Sequence, residues 1–120
     1  MQDEGTVREV NKVNTEFYHA FESLSIEMMD KLWKHDENVV NNTQRMRFII
    51  TNTKVRIFDN IKIAVVVCLE NIETSANGQV IKIGVIATNI FERNELSQWL
   101  LIHHHGSSVT NYIPPNISSQ

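Results

Sequence analysis

The chain has 120 residues and a formal net charge of −3, with 42% hydrophobic and 21% charged residues. These values predict one soluble globular domain. The acidic balance disfavours nucleic acid and membrane surfaces as partners, because both attract a basic face. The sequence has no apolar run of membrane-spanning length and begins without a hydrophobic signal core, so we expect a cytoplasmic location.

Two helices are predicted at the start of the chain. Thr6–Glu9 has the form of a capping box, and apolar residues then recur every three or four positions. The predicted buried stripe of this helix consists of Val10, Val13, Phe17, Ala20 and Phe21. Ser25 is the predicted N-cap of a second, shorter helix. The apolar residues of that second helix are Met28, Met29, Leu32 and Trp33.

Four strands are predicted after the helices, because β-branched and aromatic residues become frequent from Arg45 onwards. Asn77-Gly78 is a strong hairpin signal, since the favoured two-residue turn needs positive φ at both positions. The predicted strands are Arg45–Phe58, Ile61–Thr74, Gln79–Glu92 and Ser97–His105. Together they form an antiparallel meander.

The middle strands are apolar on both faces. In the second strand Val65 and Val67 alternate with Val66 and Cys68. An antiparallel sheet with one face in water shows polar residues at every second position instead. The helices cover only one face, so we expect a homodimer in which a second copy of the chain covers the outer face. Cys68 is the single cysteine and is expected to be a buried, unreactive thiol.

Three adjacent histidines, His103–His105, continue the strand pattern that begins at Trp99. A purification tag lies in a flexible segment, so this position disfavours that interpretation. An unbroken period of two puts Trp99, Leu101, His103 and His105 on one face and His104 on the other. We therefore expect these histidines to belong to the end of a strand, and which of them faces a pocket stays open.

Three blocks of the sequence resemble one family. They are "FYHAFESLSIEMMDKLWKHDENVV" at Phe17–Val40, "IATNIFER" at Ile86–Arg93 and "WLLIHHHGSS" at Trp99–Ser108. In this order they are similar to the SnoaL-like branch of the nuclear-transport-factor-2-like superfamily. The resemblance implies a cone-shaped α+β fold, with N-terminal helices packed on a curved antiparallel sheet. It implies one SnoaL-like domain over residues 1–109 and an irregular tail over residues 110–120.

The resemblance has one gap. Family members carry a first strand, a Gly/Pro-rich loop and a third helix after the second helix, whereas Val40 is followed here directly by Asn41–Gln44. Either the chain lacks that segment, or a piece of it is missing from this sequence. The superfamily's ketosteroid isomerases use a tyrosine, an acid and a carboxylate base. By resemblance the first two correspond to Phe17 and Asn89 and the base falls in the gap, which disfavours that activity.

The expected function is binding of a small, mostly apolar molecule in the cone, with acid–base chemistry by His103 and His105 as the best catalytic candidates. The expected pocket-lining residues are Phe17, Tyr18, Trp33, Asn89, Trp99, His103 and His105. The alternative is a non-catalytic association module whose pocket is vestigial. We expect neither a cofactor nor a metal. A zinc site would need ligands such as His35, Asp36 or Glu37 beside the two histidines.

Overall fold

The structure, a computed structural model, describes residues 4–33, 45–76 and 78–115, including side chains other than those of residues 24–33, 45 and 76. One N-terminal helix packs on a four-stranded antiparallel sheet, as expected for the α+β fold. The elements are α1 (Glu4–Trp33), β1 (Arg45–Phe58), β2 (Ile63–Ala76), β3 (Gln79–Arg93) and β4 (Trp99–Ser108). The strands lie side by side in chain order.

A single helix replaces the two that the sequence predicts. The α1 helix continues through Ser25 to Trp33, so Ser25 is not an N-cap. No Gly or Pro lies between Phe21 and Trp33 to end the first helix, and serine interrupts a helix only weakly. Ala20 is exposed, whereas Asn14 and Tyr18 are buried in the stripe that faces the sheet.

The hairpins set the register of the sheet. Gly78 has a φ of 77°, the positive angle that the predicted β2–β3 turn requires. In the β1–β2 turn Asp59, Asn60 and Ile61 all have positive φ. Because an extended strand has negative φ, β2 begins at Ile63 rather than at Ile61.

The core lies between α1 and the inner face of the sheet, in two clusters. The first cluster consists of Val10, Ala64, Val66, Phe91 and Trp99. The second contains Tyr18, Cys68 and Ala87, with Phe17, Phe48 and Ile50 packed against it. A hydrogen bond also joins α1 to β1, since Oε1 of Glu22 accepts from the backbone N of Phe48 at 3.2 Å.

The predicted alternation of the histidines is wrong, because β4 contains a β-bulge. Leu101 pairs with Phe91, but His103 already pairs with Ile90, so Ile102 is the extra residue. Trp99 and Leu101 face the core, and beyond the bulge His104 takes the inner position. His103 and His105 lie on the outer face and are exposed.

The segment after β4 turns back over the outer face of the sheet. The backbone N of Val109 donates to the carbonyl of Gly84 at 2.9 Å. The Tyr112 hydroxyl then donates to Oδ1 of Asn71 at 2.5 Å. Asn71 is 3% exposed, and its Nδ2 donates to the Ile49 carbonyl at 2.8 Å. The tail thus occupies a specific place on this face.

We predict that Gly84→Ala displaces this tail. A Cβ built at Gly84 would lie far inside van der Waals contact with the ring of Tyr112. Overpacking of this kind costs about 1–3 kcal/mol in the free energy of unfolding. Limited proteolysis should cut the variant near Tyr112 faster than the wild type. An unchanged cleavage rate would show that Tyr112 does not rest on Gly84.

Among the described residues no helix is both long and apolar enough to cross a lipid bilayer. The predicted departure at Val40 and Asn41–Gln44 lies outside the described residues, as does the side chain of Trp33.

Candidate functional site

Polar side chains collect on the inner face of the sheet beneath the middle of α1. The α1 helix contributes Asn14 and Tyr18, which are one turn apart and so share a face. The β2 strand contributes Glu70, at the alternate position after Val66 and Cys68. The β3 and β4 strands contribute Asn89 and His104, which are cross-strand partners and therefore face the same side. We call Asn14, Tyr18, Glu70, Asn89 and His104 the polar network.

Glu70 is the buried charge of the network. It is 4% exposed, and its Oε2 accepts a hydrogen bond of 2.5 Å from the Tyr18 hydroxyl. The same hydroxyl lies 3.5 Å from Sγ of Cys68. A buried carboxylate is costly unless it is hydrogen-bonded, so Tyr18 is what makes Glu70 tolerable at this position.

Asn89 links the helix to His104. Its amide is fully buried, and Nδ2 donates to Asn14 Oδ1 at 2.9 Å and to the Tyr18 hydroxyl oxygen at 3.1 Å. Its Oδ1 lies 2.5 Å from Nδ1 of His104. A carbonyl oxygen only accepts hydrogen bonds, so Nδ1 of His104 carries a proton.

The second ring nitrogen of His104 faces Glu70. Nε2 lies 3.9 Å from Oε2 of Glu70. That distance exceeds a hydrogen bond, and the two side chains form an ion pair only when the His104 ring carries its second proton. The His104 side chain is 30% exposed and that of Glu70 is 5% exposed. His104 therefore connects the buried network to the surface.

Three phenylalanines, Phe17, Phe21 and Phe48, form an aromatic collar beside His104. The His104 ring centroid lies 5.3 Å from that of Phe17 and 6.3 Å from that of Phe21. Phe48 contacts Phe21, with a distance of 5.1 Å between the two ring centroids. All three phenylalanines are partly buried. An apolar wall with a few convergent polar groups is the usual lining of a small-molecule site.

Burial keeps two other groups of the site protonated. Burial raises the pKa of Tyr18 far above its ordinary value, and the hydrogen bond to Glu70 raises it further. Burial likewise raises the pKa of the Cys68 thiol. Tyr18 is thus a lasting hydrogen-bond donor, and Cys68 is a poor nucleophile.

We predict that Tyr18 steepens the loss of stability at alkaline pH. Its pKa is raised in the folded chain, so the folded state keeps a proton that the unfolded chain releases near pH 10. The stabilisation is complete below about pH 10 and falls above it by up to ~1.4 kcal/mol per pH unit. In urea melts from pH 8 to 11.5, Tyr18→Phe should lack this part of the decline. Parallel curves for the two proteins would contradict it.

The structure brings together three of the residues that the sequence singles out. Phe17, Tyr18 and Asn89 all lie within this site. Trp99 is buried in the first core cluster, where the Arg93 guanidinium lies 5.8 Å from its ring centroid. His103 and His105 lie on the opposite face of the sheet from the polar network.

Sequence reasoning missed three members of the network, Asn14, Glu70 and His104. Two of them had a readable signal. Asn14 falls within the helix stripe four residues before Tyr18, and Glu70 follows Ala64, Val66 and Cys68 at alternate positions of an apolar strand. A polar residue at a core position indicates a hydrogen-bonded or functional site.

The metal site considered from the sequence has no counterpart among the described residues, because no group of three metal-ligating side chains lies together there. The ligands considered for zinc, His35, Asp36 and Glu37, lie outside the described residues.

An open cavity of about 530 Å³ lies between the β1–β2 and β3–β4 turns. Its lining includes Lys62, Arg93 and Glu95 and none of the network residues.

Together, the single long helix, the four-stranded meander and the polar inner face define an α+β protein. The family model of the SnoaL-like domain matches residues 37–111. The chain therefore belongs to the SnoaL-like family.

A solved structure supports the fold. It is a protein from Streptomyces avermitilis described as a "putative dehydratase from the NTF2-like family". The likeness covers 91% of this chain and 99% of that chain, with a TM-score of 0.67 and 22% sequence identity. Sequence identity at this level supports a shared fold and nothing more. No curated protein matches the chain.

Proposed function

We propose that this protein binds a small, mostly apolar molecule against the aromatic collar and that His104 moves a proton on it. The observation that carries the proposal is the environment of the His104 ring. Its Nδ1 is hydrogen-bonded to Asn89, and its Nε2 faces Glu70 without a hydrogen bond. The proposal makes the protein an acid–base enzyme.

The first step of the argument is the tautomer of His104. With its proton on Nδ1, the neutral ring has its lone pair on Nε2. Nε2 is therefore the basic nitrogen, and it belongs to a side chain that reaches the surface. A general base needs both the lone pair and access to the substrate.

The second step is the charge that forms when His104 accepts a proton. The imidazolium would lie 3.9 Å from the Glu70 carboxylate, which is held in place by Tyr18. Opposite charges at this distance attract each other.

The third step is the class of reaction. The S. avermitilis protein is described as a dehydratase, and elimination of water needs a group that takes a proton and a group that gives one. His104 can do both in turn. Nε2 takes the proton from carbon, the C–O bond breaks as the C=C bond forms, and Nε2–H protonates the departing hydroxyl to give water. We therefore propose small β-hydroxy carbonyl compounds with apolar bodies as the substrate class.

A ligand panel tests the proposal. Aromatic and aliphatic β-hydroxy carbonyl compounds would be screened for an increase in melting temperature, since a ligand bound only by the folded state stabilises it. Compounds that stabilise the protein would then be incubated with it in D2O. Proton NMR would follow deuterium uptake at the carbon beside the carbonyl and the appearance of an alkene. Uptake or an alkene that depends on the protein supports the proposal, and stabilisation without either contradicts it.

The second candidate is an association module, and the outer face of the sheet favours it. Val67, Ile86 and Leu100 are 37%, 45% and 53% exposed there. The helix packs on the other face, so we propose that a second copy of the chain covers this one through a two-fold interface. Such a dimer is compatible with either function.

Ile86→Lys tests the dimer. Placing a charge in the outer face should lower the mass in solution to that of one chain, as measured by light scattering or sedimentation. Ile81→Lys is the matched control, since Ile81 is also exposed but lies toward the tip of the β2–β3 hairpin. A wild-type protein that remains a single chain at all concentrations would contradict the dimer. An association module without catalysis would show a melting temperature that depends on concentration and no ligand response.

A further inference from the structure

Asn14 is a member of the polar network that the proton transfer above does not use directly. It is 3% exposed. Its Oδ1 accepts the 2.9 Å hydrogen bond from Nδ2 of Asn89.

The direction of each hydrogen bond in the network follows from Glu70. An ionised carboxylate only accepts, so the Tyr18 hydroxyl gives its one proton to Glu70. Toward Asn89 the Tyr18 oxygen must then accept, which turns Nδ2 of Asn89 toward the helix. Asn14 Oδ1 accepts from the same Nδ2 and fixes the same orientation a second time. Oδ1 of Asn89 is thereby left facing His104.

We infer that Asn14 is a positioning residue which, through the Asn89 amide, sets the tautomer of His104. Without the Asn14 acceptor, Nδ2 of Asn89 keeps only one of its two hydrogen-bond acceptors, the Tyr18 hydroxyl oxygen. The amide can then turn its NH₂ group toward His104, and the imidazole proton moves to Nε2. The basic nitrogen would then be Nδ1, which faces Asn89, rather than Nε2. This inference rests on the proposed function for its purpose, but the tautomer itself belongs to the ligand-free protein.

The ring nitrogens report the tautomer directly. Long-range ¹H–¹⁵N NMR distinguishes a protonated from an unprotonated ring nitrogen at a pH where the ring is neutral, and the signals of His104 are identified by their loss in His104→Gln. The wild type should carry its proton on Nδ1, which is the less common tautomer of free histidine. A wild-type ring protonated on Nε2 would overturn the inference without any variant of Asn14.

Variants of Asn14 test the causal step. Asn14→Leu, which has similar size and no acceptor, should convert His104 from the Nδ1 form to a mixture of the two tautomers. Asn14→Asp keeps an acceptor toward Asn89 and should retain the Nδ1 form. Val13→Ala removes partly buried packing beside the network without touching it, and controls for a general loss of stability.

Each result decides the inference. A retained Nδ1 form in Asn14→Leu, or the same mixture in Val13→Ala, would overturn it. If the leucine variant does not fold, Asn14→Ala is read in the same way. Because the spectra are recorded without ligand, failure of the tautomer argument is distinct from failure of the proposed reaction. The proposed reaction fails only if stabilising compounds show neither deuterium uptake nor alkene formation.

Discussion

His104→Gln is expected to slow the deuterium uptake of a reactive compound by about 10²–10⁴-fold, the usual contribution of a general base. Glutamine has a size close to histidine and can donate a hydrogen bond to Asn89 Oδ1, but it has no nitrogen that can accept a proton at neutral pH. Binding to the aromatic collar should persist, so the loss should fall on kcat rather than on KM. Proton NMR at several substrate concentrations separates the two.

The neighbouring histidines supply matched controls. His103→Gln and His105→Gln make the same chemical change in the same strand, but on the outer face. Both variants should exchange deuterium at the wild-type rate. A large loss in either of them, with His104→Gln unaffected, would transfer the catalytic role to the outer face and contradict our assignment.

Tyr18→Phe is expected to lower the free energy of unfolding by about 2–3 kcal/mol at pH 7. The hydroxyl donates to a buried carboxylate and accepts from Asn89. Hydrogen bonds to charged groups contribute about 1.5–3 kcal/mol, and a buried group left without its partner adds to the cost. Single domains are stable by only about 5–15 kcal/mol, so the change is readily measured by urea unfolding.

Tyr112→Phe is the control for this prediction. It also removes a phenol that donates a hydrogen bond, but the acceptor is the neutral amide of Asn71 and the residue is only partly buried. We expect a cost of about 0.5–1.5 kcal/mol, the range for neutral hydrogen bonds. If both variants lost the same amount, the Glu70 charge would contribute nothing to the importance of Tyr18.

Much of the fold could be predicted because its signals are local. The predicted first strand, Arg45–Phe58, has the bounds of β1, and Asn77-Gly78 marks the β2–β3 turn. The helix boundary at Ser25 could not be placed, because serine permits either continuation or a cap. Family membership predicted the packing of helix on sheet, which local patterns do not contain.

The site was harder to predict because its geometry depends on the register between strands. The bulge at Ile102 moves His104 to the inner face, and nothing in "LLIHHH" marks it, since neither Gly nor Pro lies there. A shift of one residue exchanges the two faces of a strand. Glu70 shows the opposite case, because its alternation with Val66 and Cys68 is a signal for a core position, although our sequence analysis did not use it.

A double-mutant cycle between Tyr18 and Glu70 tests the centre of this account most directly, because the network exists only if helix and sheet are joined at this bond. Free energies of unfolding would be measured for the wild type, Tyr18→Phe, Glu70→Gln and the double variant. We predict a coupling energy of about 1–3 kcal/mol, as found for residues within one hydrogen-bonded network. Additive effects, within about 0.5 kcal/mol, would mean that the two side chains do not interact and that His104 lacks the buried partner proposed for it.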